Sequence, residues 1–395
     1  MIANRGLRLV ISLSVVAVVV ASCASPTTDP SAAPSVAESP RRVPSASPAP
    51  SSGLTPTVGP SLSPSPVASA AVEAYEHLSG IPTTAALAGR YPVAVMLDDS
   101  PAARPQAGLS DASVVYQAPA EGGIPRYMAV FQAGSPKRIG PVRSARLYFV
   151  RWASEIEALY AHVGGPLPLR DYLDAGKGDV VNADAMRWAS PTFARVDWRD
   201  KPHNSYTSDP KLRALGRRLG ATDDALGYKP ADMWSFRDGA VLDARGPDGG
   251  RIRVIYTSEQ VEYRYDRATN TWLRSVDGRD HRDPAYTENR GFGAHTNGSR
   301  IAPTTVVVMV VPIRRSSSVA GPALGRLEAD TVGRNTAWIF ADGRVTKGSW
   351  KKASPSGRTR YYDTAGAEIS LPRGQIFVQV VPKLSRVSAT VEAAA

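Results

Sequence analysis

The sequence predicts a mixed fold: an α+β or α/β N-terminal domain built on a mixed sheet, followed by a β-rich C-terminal domain. Three observations predict it. Across residues 74–230, short apolar runs alternate with stretches of helical period. Across residues 231–385, short β-branched and aromatic runs follow one another, many separated by turn signals such as Asp277-Gly278 and Asp342-Gly343. Residues 24–73 are Ser, Pro, Ala and Thr with almost no aromatic residue and no hydrophobic period, so they cannot bury enough apolar surface to offset their chain entropy.

The amino terminus predicts a secretory leader over residues 1–22. Arg5 and Arg8 precede an apolar run from Leu9 to Ala21, broken by Ser12 and Ser14. The run is short of the roughly 20 residues a spanning helix needs. It ends in Val20-Ala21-Ser22-Cys23, and Cys23 is the single cysteine of 395 residues. This string resembles the lipobox of bacterial lipoproteins, whose cysteine receives a diacylglyceryl group and, after cleavage, an acyl chain such as palmitate on its amine. The expected address is the extracytoplasmic face of a bacterial cell membrane, with residues 23–73 as lipidated end and disordered tether. With Cys23 lipidated, no thiol remains for disulfides, Cys-based metal sites or nucleophilic catalysis.

The net charge is +11, of which about +10 belongs to the part beyond the tether. An exported basic protein meets anionic lipids and envelope polymers, so no nucleic acid partner is expected.

The N-terminal domain opens with the apolar strand 91–97, ending in Asp98-Asp99-Ser100-Pro101. Residues 112–117 and 126–131 form two further strands around Glu121-Gly122-Gly123. Gly140-Pro141 suits a helix start, and Tyr148, Trp152 and Ile156 recur at the four-residue spacing of one helix face. Residues 158–163 make another strand closed by Gly164-Gly165. Ser208-Asp209-Pro210 suits the cap and first turn of a later helix. The C-terminal domain reads as strands near residues 252–257, 261–265, 271–276, 304–311, 324–331, 336–340, 358–362 and 376–381, with a frayed tail at 386–395.

The strings Pro92-Val93-Ala94-Val95-Met96-Leu97-Asp98, Glu121-Gly122-Gly123, Ile139-Gly140-Pro141-Val142-Arg143-Ser144-Ala145-Arg146 and His162-Val163-Gly164-Gly165 resemble the YerB-like lipoproteins. Gly348-Ser349-Trp350-Lys351-Lys352 and Gln375-Ile376-Phe377-Val378-Gln379 extend the resemblance into the second half. It implies two halves and a lipid anchor, and it supplies no established reaction.

Arg143 and Arg146, three apart near the expected helix start, would share a face and, with Ser144 and Arg126, receive phosphate or carboxylate. Asp98, Glu121 or Glu155 would neutralise them in the competing structural reading. Glu121, His162, His203 and Asn204 are further pocket candidates, whereas His281 and His295 read as loop residues. No GxSxG, GxxxxGK[ST], HExxH or GxGxxG motif is present.

Two functions follow as expectations. The first is a membrane-anchored lipoprotein binding an anionic cell-envelope polymer or envelope protein through an Arg-rich cleft. The alternative is a metal-assisted phosphotransferase acting on lipid-linked glycopolymers. The order of strand, Asp98, arginines and Gly164-Gly165 is distantly similar to the LytR-CpsA-Psr transferases. That similarity implies Mg²⁺ near Asp98, with Arg126, Arg143 and Arg146 on the phosphate.

Overall fold

The computed structural model describes residues 74–227, 234–284, 298–316 and 326–394. The expected leader, Cys23, the expected tether and His295 lie outside them. A continuous apolar run suits a strand covered on both faces, and β1 (Val93–Asp98) is buried at all six positions. β2 (Val114–Pro119) and β3 (Pro125–Phe131) pair antiparallel around the turn at Glu121–Gly123. There follow α1 (Leu147–Ala153), β4 (Leu159–His162), α2 (Leu167–Asp174), β5 (Val181–Asp184) and α3 (Asp209–Arg218). β1, β4 and β5 are parallel neighbours, and β3 runs antiparallel between β1 and β2.

Gly140-Pro141 does not open a helix. The chain stays extended to Arg146, which is the N-cap residue of α1 at φ −138° and ψ 144°. Its backbone groups are already paired sideways: Asp98 N donates to Pro141 O at 2.9 Å, Arg143 N to Met96 O at 2.9 Å, and Ala145 N to Gly164 O at 3.0 Å. A segment engaged in this way has no free groups for a helical ladder. Of the expected helix face, Tyr148 and Trp152 lie on α1 and Ile156 in the 3-10 turn that follows it; all three are buried, and Trp152 is stacked on Tyr116 of β2 at 5.1 Å.

In the second half, β6 (Arg251–Ile255), β7 (Gln260–Asp266) and β8 (Thr271–Val276) alternate inward and outward residues, as strands with one covered face must. β9 (Thr305–Val310), β10 (Gly333–Ala341), β11 (Arg344–Lys352), β12 (Arg360–Asp363) and β13 (Ile376–Val381) follow. The tail is not frayed through residue 393. β14 (Val387–Thr390) pairs with β6, and Glu392–Ala393 pairs with β11, so its backbone groups are held by two sheets.

One eleven-stranded sheet joins the two regions, in the order β12-β11-β10-β9-β13-β2-β3-β1-β4-β5, with Glu392–Ala393 beside β11. The join is β13, parallel both to β9 and to β2. A second, five-stranded sheet runs Arg279–Asp280, β8, β7, β6, β14. Its inward Ile252, Val254, Tyr263 and Trp272 share a core with Val308, Phe340 and Phe377 of the large sheet and with Leu212 and Leu215 of α3. The opposite face of the large sheet packs Met96, Met128, Val307 and Val378 with Phe149 and Trp152 of α1. No helix among the described residues is long and apolar enough to cross a membrane.

Candidate anion-binding site

β1, β2, β4, β5, β9 and β13 all run in one direction. Their carboxyl ends share one edge of the sheet, the place where open sheets with parallel strands gather ligands. Asp98 ends β1 there and lies opposite Arg126 of β3. The extended segment 139–146 crosses this edge, because Leu97 bridges Val142 and Val163 N donates to Arg143 O at 2.9 Å. Arg143 and Arg146 therefore do not share a helix face. Three apart along extended backbone, they lean to different sides and meet different partners.

Arg143 turns to Asp98, with Nε 2.9 Å from Oδ2. The same oxygen is 2.6 Å from His203 Nδ1, and Oδ1 accepts from Ser100 N at 3.0 Å. Burial works against the Asp98 charge, but Arg143, the Ser100 N–H and His203 together hold the carboxyl below its ordinary range. The side chains of Arg143 and His203 remain 26% and 21% exposed, against 4% for Asp98. No described residue partners the two terminal nitrogens of Arg143 or Nε2 of His203. Oδ2 of Asp98 is thus shared by Arg143 and His203, and Oδ1 is taken by Ser100 N. No cluster of three or more His, Cys, Asp or Glu side chains suited to a metal is present among the described residues.

Arg146 turns instead to Glu121, meeting its carboxylate with Nε and Nη2, and Arg126 joins the same carboxylate at 3.2 Å. Arg126 Nη1 also donates to Ser144 O at 2.9 Å, and Arg146 Nη1 donates to Ser144 Oγ at 3.2 Å. Burial and then the neighbouring Arg146 push Arg126 down to about 10. Burial opposes the Glu121 charge as well, yet Arg146 and Arg126 hold that carboxyl low. These four residues form a brace next to Arg143 in which two guanidinium groups share one carboxylate.

The remaining candidates are structural in their contacts. His162 is fully buried, with Nδ1 2.8 Å from Gly164 O and Nε2 2.8 Å from Asn182 Oδ1. Asn204 is buried and accepts from Arg195 while donating to Val196 O. Glu155 neutralises neither arginine. It holds Lys352 Nζ at 2.6 Å and accepts from Thr359 N and Oγ1, bridging the end of α1 to β11.

Beneath the edge lies a buried network that motif reading does not reveal. Asp99, Arg104, Gln106, Gln117 and Tyr127 of the first half meet Tyr263, Arg274, His281 and Glu259 of the second. Gln117 Nε2 donates at 2.6 Å to both Asp99 Oδ2 and Glu259 Oε1, and Arg274 donates to Gln117 Oε1 at 2.8 Å and to Tyr127 Oη at 2.9 Å. His281 lies between two short strands, in neither of them, but is buried rather than on a polar surface. It accepts from Arg274, faces Gln106 Oε1 at 3.0 Å, and is held well below its ordinary range by burial and by Arg274. Burial pushes Asp99 up to about 6, against the pull of Arg104 and Arg274. Arg104 contacts both Asp99 and Glu259, so two carboxylates balance two guanidinium groups.

Residues 78–222 match the family described as "Protein of unknown function (DUF3048) N-terminal domain", and residues 252–378 match its C-terminal domain. The chain belongs to this family. It is 29% identical over 316 residues to "Putative lipoprotein YerB" of Bacillus subtilis (strain 168), covering 79% of this chain and 87% of that protein. It is also similar to the crystal structure of the YerB protein from Bacillus subtilis, with a TM-score of 0.67 and 26% identity, covering 80% of this chain and 99% of that one. The family thus carries the α+β first half and β-rich second half described above. Its printed description assigns no reaction.

Proposed function

We propose that this chain is a lipoprotein, anchored through Cys23 to the extracytoplasmic face of a bacterial membrane, that binds an anionic cell-envelope ligand or an envelope protein's carboxylate through Arg143. The basic leader, its apolar run and the Ser22-Cys23 junction support the anchor, as does the name given to the Bacillus subtilis relative. Two or more acyl chains on Cys23 make such anchoring stable, where one alone gives only marginal binding.

One observation carries the ligand reading. Asp98 holds Arg143 by Nε and His203 by Nδ1, while the terminal nitrogens of Arg143 and Nε2 of His203 meet no described partner. A phosphate or carboxylate supplies the acceptor oxygens that a guanidinium fork matches. Around it, three guanidinium groups (Arg126, Arg143, Arg146) face two carboxylates (Asp98, Glu121), leaving one positive charge. The brace keeps Arg143 in place and the surplus charge draws the anion.

The test is to extract the lipidated full chain from the envelope in detergent and identify co-purifying compounds by mass spectrometry. An anionic compound is expected with the natural chain and with Arg143→Lys at reduced yield. It should be lost with Arg143→Ala. Equal recovery with Arg143→Ala sinks the assignment.

A further inference from the structure

The large sheet carries a second basic surface, remote in sequence from Arg143 and built on the hairpin of β10 and β11. Thr336 lies opposite Ser349, Trp338 opposite Lys347 and Arg334 opposite Lys351. Period-two alternation sets all six side chains on one face, while Ala337, Ile339 and Trp350 face the opposite core. The core beneath the five-stranded sheet takes in Phe340 and Val345 with Tyr265 and Trp272, and Trp338 packs against its margin. Beyond it the described residues leave a groove of about 570 Å³.

Three features of the groove point to a ligand. Ser349 is 7% exposed and its Oγ has no hydrogen-bond partner, although buried hydroxyls are normally paired. Arg334, Lys347 and Lys351 have no carboxylate partner among the described residues. Trp338 lines the groove with Lys347 Nζ 5.2 Å from its ring centroid, and beside the groove Lys351 Nζ lies 4.2 Å from the Tyr362 centroid. One carboxylate, Asp363, also lines the groove and accepts from Ala367 N at 2.9 Å, against the three cations; Glu368 pairs with Arg360 at 2.7 Å.

We infer that this face binds an acidic polysaccharide. Flat indole and phenol rings receive the apolar plane of a sugar, and Thr336 and the unpaired Ser349 hydroxyl answer its hydroxyls. The ammonium groups resting on the rings move to the sugar carboxylates, where a full charge outweighs the ring quadrupole. A sugar-free polyanion satisfies the cations and leaves the rings and Ser349 unused, and a neutral glycan does the reverse.

The full-length chain in detergent is titrated calorimetrically with an oligogalacturonate hexamer, cellohexaose and polyphosphate. Saturable binding of the oligogalacturonate is expected, with cellohexaose and polyphosphate each weaker by about tenfold or more. Trp338→Ala and Lys347→Gln should each weaken it by about tenfold. Lys347 is exposed, so its variant tests the site even where Trp338→Ala impairs folding. Lys211→Gln, at an exposed position of α3, should leave the titration unchanged, and the loss caused by Lys347→Gln should persist in an Arg143→Ala background, which separates this site from the one proposed above. Absence of oligogalacturonate binding, equal binding of polyphosphate, or indifference to Lys347→Gln would each overturn the inference.

Discussion

At the scale of single residues, the arginines at the carboxyl edge differ in what their neighbours leave free. Arg126 and Arg146 are bound to Glu121, whereas Arg143 gives Asp98 one nitrogen and keeps two. The candidates were legible as residue types in the sequence, but their pairing was not, because Asp98 and His203 are joined only through the fold. The buried network had one sequence signal. Arg274 occupies the inward phase of β8 with Trp272 and Val276, and a cation in that phase must find buried partners. Asp99 makes this network sensitive to pH. Its folded-state pKa of about 6 lies above the ordinary carboxyl value. The stability it contributes is therefore fully present below about pH 4 and is lost as pH rises through about 6. Asp99→Asn keeps an acceptor for Gln117 and removes that titration. Urea unfolding from about pH 4 to 7 should show the variant gaining stability relative to the natural chain as pH rises. A constant difference across that range would mean that Asp99 does not titrate there.

At the scale of elements, runs with strict periodicity were read correctly, whereas the paired tail and two further segments were not. Residues 139–146 looked like a helix start because Gly-Pro and two arginines precede a helical pattern; their backbone instead bonds to β1 and to Gly164. β11 escaped notice since Lys347, Gly348, Ser349 and Lys351 give it little apolar content. Its inward phase, Trp350 and the buried Lys352, becomes meaningful only once Glu155 is seen beneath it. Gly348 shows how tightly β11 is seated. A Cβ there would lie 1.9 Å from Tyr362 O on β12. Gly348→Ala should destabilise the protein by roughly 1–3 kcal/mol through displaced backbone, read as a lower urea midpoint. An unchanged midpoint would mean that β12 gives way at little cost.

At the scale of the whole molecule, the change of texture near residue 230 is a change of partner within one sheet. β13, drawn from the far end of the chain, lies between β9 and β2, and β14 closes the second sheet beside β6. A chain ending at residue 230 would uncover the apolar edge of β2, and such edges aggregate. Expressed alone, residues 74–230 should be insoluble or lack a cooperative transition, whereas the full chain should unfold with coincident circular dichroism and tryptophan fluorescence curves. Soluble, cooperative folding of that piece would show that β13 is dispensable to it. From sequence alone came the strands, the α+β and β-rich textures, the family and the set of candidate side chains, because periodicity and local motifs are properties of neighbouring residues. Tertiary structure decided that the two regions share one sheet, which arginine keeps its terminal nitrogens free of described partners, and where buried charges balance. Those outcomes depend on contacts between residues more than a hundred positions apart, such as Asp98 with His203 and Glu155 with Lys352.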